Sequence, residues 1–347
     1  MGQTIAQQDH KLLGKILSLY NLMNTNHDED TAEKVKELGR KAVEEEFSIA
    51  FCGHFSAGKS SMINRLIGDN ILPSSPIPTS ANLVRIKSGS EYAKVIFKDG
   101  GSRLYPAPYD YDTVKTYCKD GEQIQAIEIS HNGAEFLEQA VIMDTPGIDS
   151  TDDAHRIATE SALHLSDIVF YVMDYNHVQS ELNFLFTKEL TDAGKELYLI
   201  INQVDKHQDA ELSFEQFKTS VENSFADWGV KHAGIFYTSL KAPESPHNQF
   251  LDLRSFIMER KSKRKELLPV SIFKSMEKLA EDHLANLHQN VSEEIDQFET
   301  ILEGLSDSER KQLSNELDNL RMNIEKIQGE RDPEREFRDG LNDILKS

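Results

Sequence analysis

Hydrophobic positions along this chain follow three different rhythms. Over residues 1–46 they recur at helical intervals: Leu12, Ile16 and Leu19 are spaced by four and three, and Val35, Leu38 and Ala42 by three and four, with Glu and Lys between them. That spacing puts the apolar side chains on one face of a helix. Two helices are therefore predicted, separated by the polar stretch 24–30. Over 47–261 the rhythm shortens. Apolar, β-rich runs at 47–52, 93–97, 141–144, 168–173, 197–202 and 235–238 alternate with polar segments of helix length. This alternation predicts an α/β domain, doubly wound around a mixed, mostly parallel sheet. Segments 93–105 and 125–130 fall between the first helix and Asp144 and are expected to extend the sheet in antiparallel fashion.

From 262 to 347 the helical rhythm returns. Leu284, Leu287, Val291, Ile295, Phe298 and Leu302 form one stripe, and after a break at 304–307 Leu313, Leu317, Leu320, Ile324 and Ile327 form another. A narrow apolar stripe on a charged helix is stable only against partner helices. Two helices before the α/β domain and two after it can supply one another's partners, which predicts an all-α bundle from 1–46 plus 262–347 beside a domain at 47–261. Packing of these helices directly onto the α/β domain is the alternative.

Composition narrows the classes of function. The chain has 347 residues and is 38% hydrophobic, enough for one large core or two moderate ones. Its net charge of -21 argues against a nucleic-acid surface and against direct adhesion to anionic lipid, both of which need basic patches. No window approaches the ~18 consecutive apolar residues of a membrane span. The start, Met1-Gly2 with Ala6 where a myristoylation signal has Ser or Thr, matches neither that signal nor a secretory leader. Of the two cysteines, Cys52 and Cys118, the first lies in an apolar run and is expected to be a buried, reduced thiol. A soluble chain with a cytoplasmic address is the expectation.

The chemistry is concentrated in five segments. Gly53-His54-Phe55-Ser56-Ala57-Gly58-Lys59-Ser60, continued by Ser61, follows a predicted strand and opens a predicted helix at 61–68. This is the P-loop pattern: the glycines let backbone N–H groups wrap phosphates, and the helix N-terminus adds a favourable field. Lys59 is placed to reach the β- and γ-phosphates of a nucleotide, and the Ser60 hydroxyl to ligate Mg²⁺. Asp144-Thr145-Pro146-Gly147 closes a second predicted strand. There a carboxylate can hold Mg²⁺ through water, and the Gly147 N–H can touch a γ-phosphate. Between the two, the proline-rich loop 72–80 suits a nucleotide switch, with Thr79 as the candidate Mg²⁺ ligand and Ser80 as the second choice.

Base recognition is read from Asn202-Gln203-Val204-Asp205, at the end of another predicted strand. An aspartate there can accept both the N1–H and the exocyclic amine of guanine, whereas adenine offers neither. Gln203 stands where a lysine usually covers the base. Thr238-Ser239-Leu240-Lys241 fits the segment that closes over the base, with Ser239 and Lys241 as its contacts. The five segments together predict a GTP-binding domain that takes GTP and GDP with Mg²⁺.

On these residues the chain resembles the dynamin superfamily, especially the bacterial dynamin-like proteins and, more distantly, the mitofusins. The resemblance rests on Ser56 ahead of Gly58-Lys59-Ser60-Ser61, on Ile71-Leu72-Pro73 before the switch loop, on Thr79, on the DTPG segment and on helices at both flanks. It covers 47–261 closely. It implies a GTPase head on a helical neck, homodimerisation of heads across bound GTP, and coupling of hydrolysis to membrane fusion, tethering or remodelling. It further implies peripheral membrane association through a lipid-binding region not evident in this chain, which then reads as a fragment.

Two departures bear on catalysis. Ile148 follows Gly147 where small GTPases have glutamine, and Phe55 precedes Ser56 where eukaryotic dynamins have glutamine. No side chain is an obvious positioner of the attacking water, so Ser56, Lys59, Thr79 and Gly147 are the expected catalytic set, completed by a partner head. Ser56 is also the residue through which the resemblance implies a monovalent cation, K⁺ or Na⁺. The competing expectations are a soluble regulatory GTPase, for instance in ribosome assembly, and a nucleotide-gated scaffold with little hydrolysis.

Overall fold

The computed structural model describes residues 2–72, 82–108, 123–132, 135–147, 163–303 and 322, with side chains at 2–10, 55, 135 and 288–303 excepted. By backbone packing the chain divides into two compact units, Glu37–Ser275 and Met1–Lys36 together with Met276–Ser347.

The larger unit is built on a sheet of nine strands among the described residues: β1 (Phe47–Gly53), β2 (Leu83–Ser88), β3 (Tyr92–Phe97), β4 (Ser102–Pro106), β5 (Ile124–His131), β6 (Ala140–Asp144), β7 (Ile168–Asp174), β8 (Leu197–Asn202) and β9 (Gly234–Thr238). Their order is β4-β3-β5-β2-β6-β1-β7-β8-β9. β6, β1, β7, β8 and β9 run parallel to one another. β1, β6, β7 and β8 are buried along their whole length, as expected where helices cover both faces of a parallel sheet. One face carries Phe47, Ile49, Phe51, Phe170, Val172 and Ile200 into a core shared with Met62, Ile63, Leu253 and Ile257. On the other face the Tyr171 hydroxyl donates to Asn183 Oδ1 (2.7 Å), and the Phe184 and Phe225 rings meet edge to face at 4.9 Å.

Seven helices belong to the described residues: α1 (Gly2–Thr25), α2 (Glu29–Glu44), α3 (Lys59–Ile67), α4 (Glu181–Asp192), α5 (Phe214–Asp227), α6 (Phe250–Ser262) and α7 (Arg264–Glu303). α5 begins with a capping box: Ser213 accepts from the Gln216 N–H while Gln216 accepts from Ser213. In the smaller unit Asp28 caps α2 by accepting from the Thr31 N–H (3.0 Å), and His283 Nδ1 bonds the other oxygen of Asp28 (2.6 Å).

The expected antiparallel extension is present as a β3–β4 hairpin with β5 antiparallel to β3, and β5 additionally pairs parallel with β2. Two features depart from the sequence expectations. β2 itself was not foreseen, because Arg85 and Lys87 interrupt its apolar run. The Arg85 guanidinium is buried and paired with Glu46 at 2.6 Å, which lets a charged residue sit mid-sheet. In α7 the buried positions among the described side chains are Leu268, Ile272, Ser275, Met276, Leu279, Ala280 and His283, whereas Leu287 is exposed. The stripe beyond 287, the break at 304–307 and the stripe 313–327 fall outside the described side chains.

Candidate nucleotide site

The parallel strands end on one edge of the sheet, and the chemistry-bearing segments leave from that edge. Gly53 lies beside Val172, Asp174 beside Asn202, and Asn202 beside Thr238. Ligands of open α/β sheets bind at this carboxyl edge. The P-loop pattern is thereby brought next to segments about 90 and 150 residues further along the chain.

The loop from Gly53 to Lys59 curls because two of its glycines adopt conformations other residues resist. Gly53 has φ 129°, and a Cβ there would lie 2.1 Å from the Val172 carbonyl oxygen. Gly58 has φ 90°, and its Cβ would lie 2.7 Å from Asn202 Nδ2. α3 starts directly at Lys59, two residues earlier than its apolar pattern indicated, and Met62 N donates to the Gly58 carbonyl (2.9 Å). The Lys59 ammonium donates to the Gly53 and His54 carbonyls (2.8 and 2.9 Å), so the loop wraps around its own lysine.

The Ser60 hydroxyl donates to Asp144 Oδ2 (2.8 Å). Asp144 is fully buried, and its Oδ1 has no hydrogen-bond partner. Burial pushes its carboxyl up to about 6, while the charge of Lys59 and the Ser60 hydroxyl pull the other way. These residues fit a divalent cation: the serine oxygen keeps a lone pair for the metal while its hydrogen goes to the carboxylate, and the bare oxygen can accept from a metal-bound water. Thr145 fixes the following segment, its N–H and hydroxyl both donating to the Phe51 carbonyl (3.1 and 3.2 Å). Gly147 ends the described part of that segment, and Thr79, Ser80 and Ile148 lie outside the described residues.

The base segment is bonded onto the phosphate loop. Asn202 Nδ2 donates to the Ala57 carbonyl (2.9 Å), and Gln203 Nε2 donates to the Ser56 carbonyl (3.2 Å). Gln203 has φ 66°, the left-handed turn that swings Asp205 outward. Asn202 Oδ1 in turn accepts from the Thr238 hydroxyl (3.1 Å). The exposed Asp205 takes a 2.5 Å hydrogen bond from Ser239, while Lys241 is exposed on the loop beyond. The expected residues of the two base segments and the phosphate loop are thus gathered at one place. Sequence reading missed Asn248, which bonds both backbone groups of Ser239; its only signal was an Asn two residues before an apolar helix.

Cys52 lies under this loop as a buried free thiol, pushed by burial up to about 12 with Lys59 opposing, so it stays protonated and inert. Cys118 is outside the described residues.

Known proteins share these segments. Residues 49–205 match the Dynamin family model. The chain is 39% identical over 294 residues to Dynamin-like protein A of Bacillus subtilis (strain 168), covering 85% of this chain and 24% of that protein. It is 25% identical over 298 residues to Dynamin-like protein 1 of Campylobacter jejuni subsp. jejuni serotype O:23/36 (strain 81-176), covering 70% of this chain and 41% of the relative. An oligomerised bacterial dynamin pair, described as providing a mechanism for the long range sensing and tethering of membranes, superposes with TM-score 0.51 at 19% identity, covering 99% of this chain and 66% of that one. The chain thus spans about a quarter of the Bacillus relative's length and two fifths of the Campylobacter one's. Residues 49–205, which include the phosphate-loop pattern and the segments around it, therefore form a dynamin-family domain, and the chain as a whole is similar to bacterial dynamin-like proteins.

Proposed function

We propose that this chain is a Mg²⁺-dependent GTPase that cleaves the β–γ bond of GTP and couples a homodimer of heads, formed across bound nucleotide, to membrane tethering, fusion or remodelling. The observation that carries the reading is the pair of hydrogen bonds from Asn202 and Gln203 to the Ala57 and Ser56 carbonyls. They support the reading because they tie the segment that leads to Asp205, the proposed guanine acceptor, to residues 56 and 57 of the proposed phosphate loop.

In this reading the N–H groups from Gly53 to Ser61 hold the phosphates, including those of His54, Phe55, Ala57 and Gly58, and Lys59 neutralises the β- and γ-oxygens. Ser60 and Thr79 ligate the metal, and Asp144 holds one of its waters. The bound Mg²⁺ supplies charge neutralisation at the β- and γ-phosphates. Ser56, Thr79 and the Gly147 N–H orient the attacking water, with the partner head completing the site, and Ser56 also faces a K⁺ or Na⁺ ion. Asp205 and Ser239 read guanine, and Lys241 stacks on it.

We assign 47–261 to the GTPase head and 1–46 with 262–347 to a helical neck bundle. Membrane contact belongs to a lipid-binding region not evident in this chain. The protein works at the cytoplasmic face, peripherally associated, and takes no nucleic acid. No described helix is long and apolar enough to cross a membrane.

Light scattering with GDP, a non-hydrolysable GTP analogue and a transition-state mimic tests the dimer: mass doubling only with the latter two is expected. Phosphate release per molecule should rise with protein concentration. Release that is absent at every concentration, with GTP bound, would instead favour the nucleotide-gated scaffold that the lack of a glutamine at 55 and 148 makes the second reading.

A further inference from the structure

The loop between β9 and α6 contains a side chain that no nucleotide motif includes. Asn248 Nδ2 donates to the Ser239 carbonyl (2.9 Å), and Asn248 Oδ1 accepts from the Ser239 N–H (3.0 Å). One amide therefore closes both backbone groups of a single residue. The same Nδ2 also reaches the Pro243 and Ala242 carbonyls (3.2 and 3.4 Å), and Oδ1 accepts from the Phe250 N–H (3.1 Å). Ser239 is buried, its hydroxyl donates to Asp205 Oδ1 (2.5 Å), and it accepts from the Ala242 N–H (3.0 Å). The neighbours of Asn248 strengthen the arrangement. Gln249 exchanges two hydrogen bonds with the Tyr237 backbone (2.7 and 2.9 Å). His247 stacks on Phe214 at 3.9 Å and bonds Asp209, on the loop that follows Asp205 (3.1 Å).

We infer that Asn248 is a specificity-determining positioning residue: it fixes Ser239 so that the serine hydroxyl holds the Asp205 carboxylate in the rotamer that pairs with guanine. The inference rests on the GTPase reading above. An ionised carboxylate has about four acceptor sites. The serine uses one of them on Oδ1 and leaves the others for the N1–H and the 2-amino group of the base. Asp205 is exposed and has no other described hydrogen bond, so without Ser239 it rotates freely and has to be ordered on binding. Asn248 touches no nucleotide in this account and acts only through Ser239.

The test uses the full chain with Mg²⁺ and equilibrium binding of GDP, IDP and ADP, IDP lacking the 2-amino group that Asp205 also accepts. Asn248→Ala is expected to weaken GDP about tenfold and IDP about threefold, the scale of one hydrogen bond to a charged group, so that the GDP-to-IDP preference shrinks. Turnover should show a raised KM at little-changed kcat. Asn248→Asp keeps the acceptor for the Ser239 N–H and loses the donor to its carbonyl; it should fall between the two, and serves alone if the alanine variant does not fold. A melting transition verifies that each variant tested is folded. An unchanged GDP-to-IDP preference in a folded variant overturns the role of Asn248, because a merely structural asparagine would weaken all ligands alike or none. Wild-type protein that binds ADP as tightly as GDP overturns the GTPase reading itself, a different result in a different protein.

Discussion

At the starts of the parallel strands, Asp167 is buried with the Lys41 ammonium at 2.8 Å and accepts from the Ser48 N–H at 2.7 Å, and Glu46 is paired with Arg85 at 2.6 Å. At the ends of the parallel strands Asp144 is buried more completely, yet among the described residues it forms no ion pair, and its carboxyl is pushed up to about 6. Both aspartates keep one oxygen without a hydrogen bond, so an orphan oxygen alone does not separate them. The separation lies in the compensating charge. The strand-start carboxylates find theirs inside the fold, whereas Asp144 has only the more distant field of Lys59 and one hydroxyl. A buried charge the fold leaves uncompensated marks a place where the compensation comes from a ligand.

Substitutions at the two edges should therefore separate function from stability. On the proposed function, replacing Lys59 by Ala is expected to lower GTP turnover by about a thousandfold or more while moving the melting temperature only a few degrees, because its ammonium donates to the Gly53 and His54 loop carbonyls and not to a buried carboxylate as Lys41 does. Phosphate-release assays and calorimetry check both halves. The opposite result is expected for Lys41→Ala. It strands Asp167 without its cation and should destabilise the larger unit by roughly 3–5 kcal/mol in urea titrations, with the folded fraction binding GTP normally. Equal loss of binding and stability in either variant would break the comparison.

Asp144→Asn should move the two properties in opposite directions. The folded carboxyl titrates near 6 against 3.8 when unfolded, so the folded state binds the extra proton and stability falls as pH rises between those values. Above pH 6 the substitution removes a penalty of about 3 kcal/mol in metal-free protein, and below pH 4 it removes nothing. The same variant should lose Mg²⁺-dependent turnover. Urea midpoints at pH 4 and 7.5 without metal check the first statement; a variant less stable than wild type at pH 7.5 would contradict it.

An effect of comparable size and opposite dependence on pH is expected at Lys195, on the strand-start side. Its ammonium donates to the His164 carbonyl and the Ser275 hydroxyl (3.2 and 3.3 Å), and burial first, then Lys41, lowers it to about 7, with Asp167 opposing. The unfolded chain then holds this proton between pH 7 and 10.5 and the folded one does not, so stability rises with pH across that window. Lys195→Met should flatten that rise, as melting temperatures at pH 7 and 9.5 would show.

The phosphate loop was legible in the sequence because its chemistry is local: Gly53 through Ser61 are contiguous, and each glycine answers to a backbone requirement within the loop. Asp144 and Asn202 were legible because each ends an apolar strand, where a polar residue is out of pattern, and Asp205 because it follows Asn202 by three positions in the same motif. β2 escaped notice because its charged Arg85 is neutralised by Glu46, a residue 39 positions away. Asn248 escaped because its role depends on Ser239 being opposite it, which no spacing rule expresses. The Lys41–Asp167 pair joins residues of unremarkable local context across 126 positions of sequence.

The amino-acid sequence alone thus determined the alternation of strands and helices and raised the expectation of a phosphate loop and a guanine acceptor, since all three follow from short-range periodicity and backbone chemistry. Only the tertiary structure decided which buried carboxylates are paired and which is not, and which side chain holds the Ser239 loop in place. Those depend on distance through space and on desolvation, and both exist only once strands far apart in the chain lie side by side.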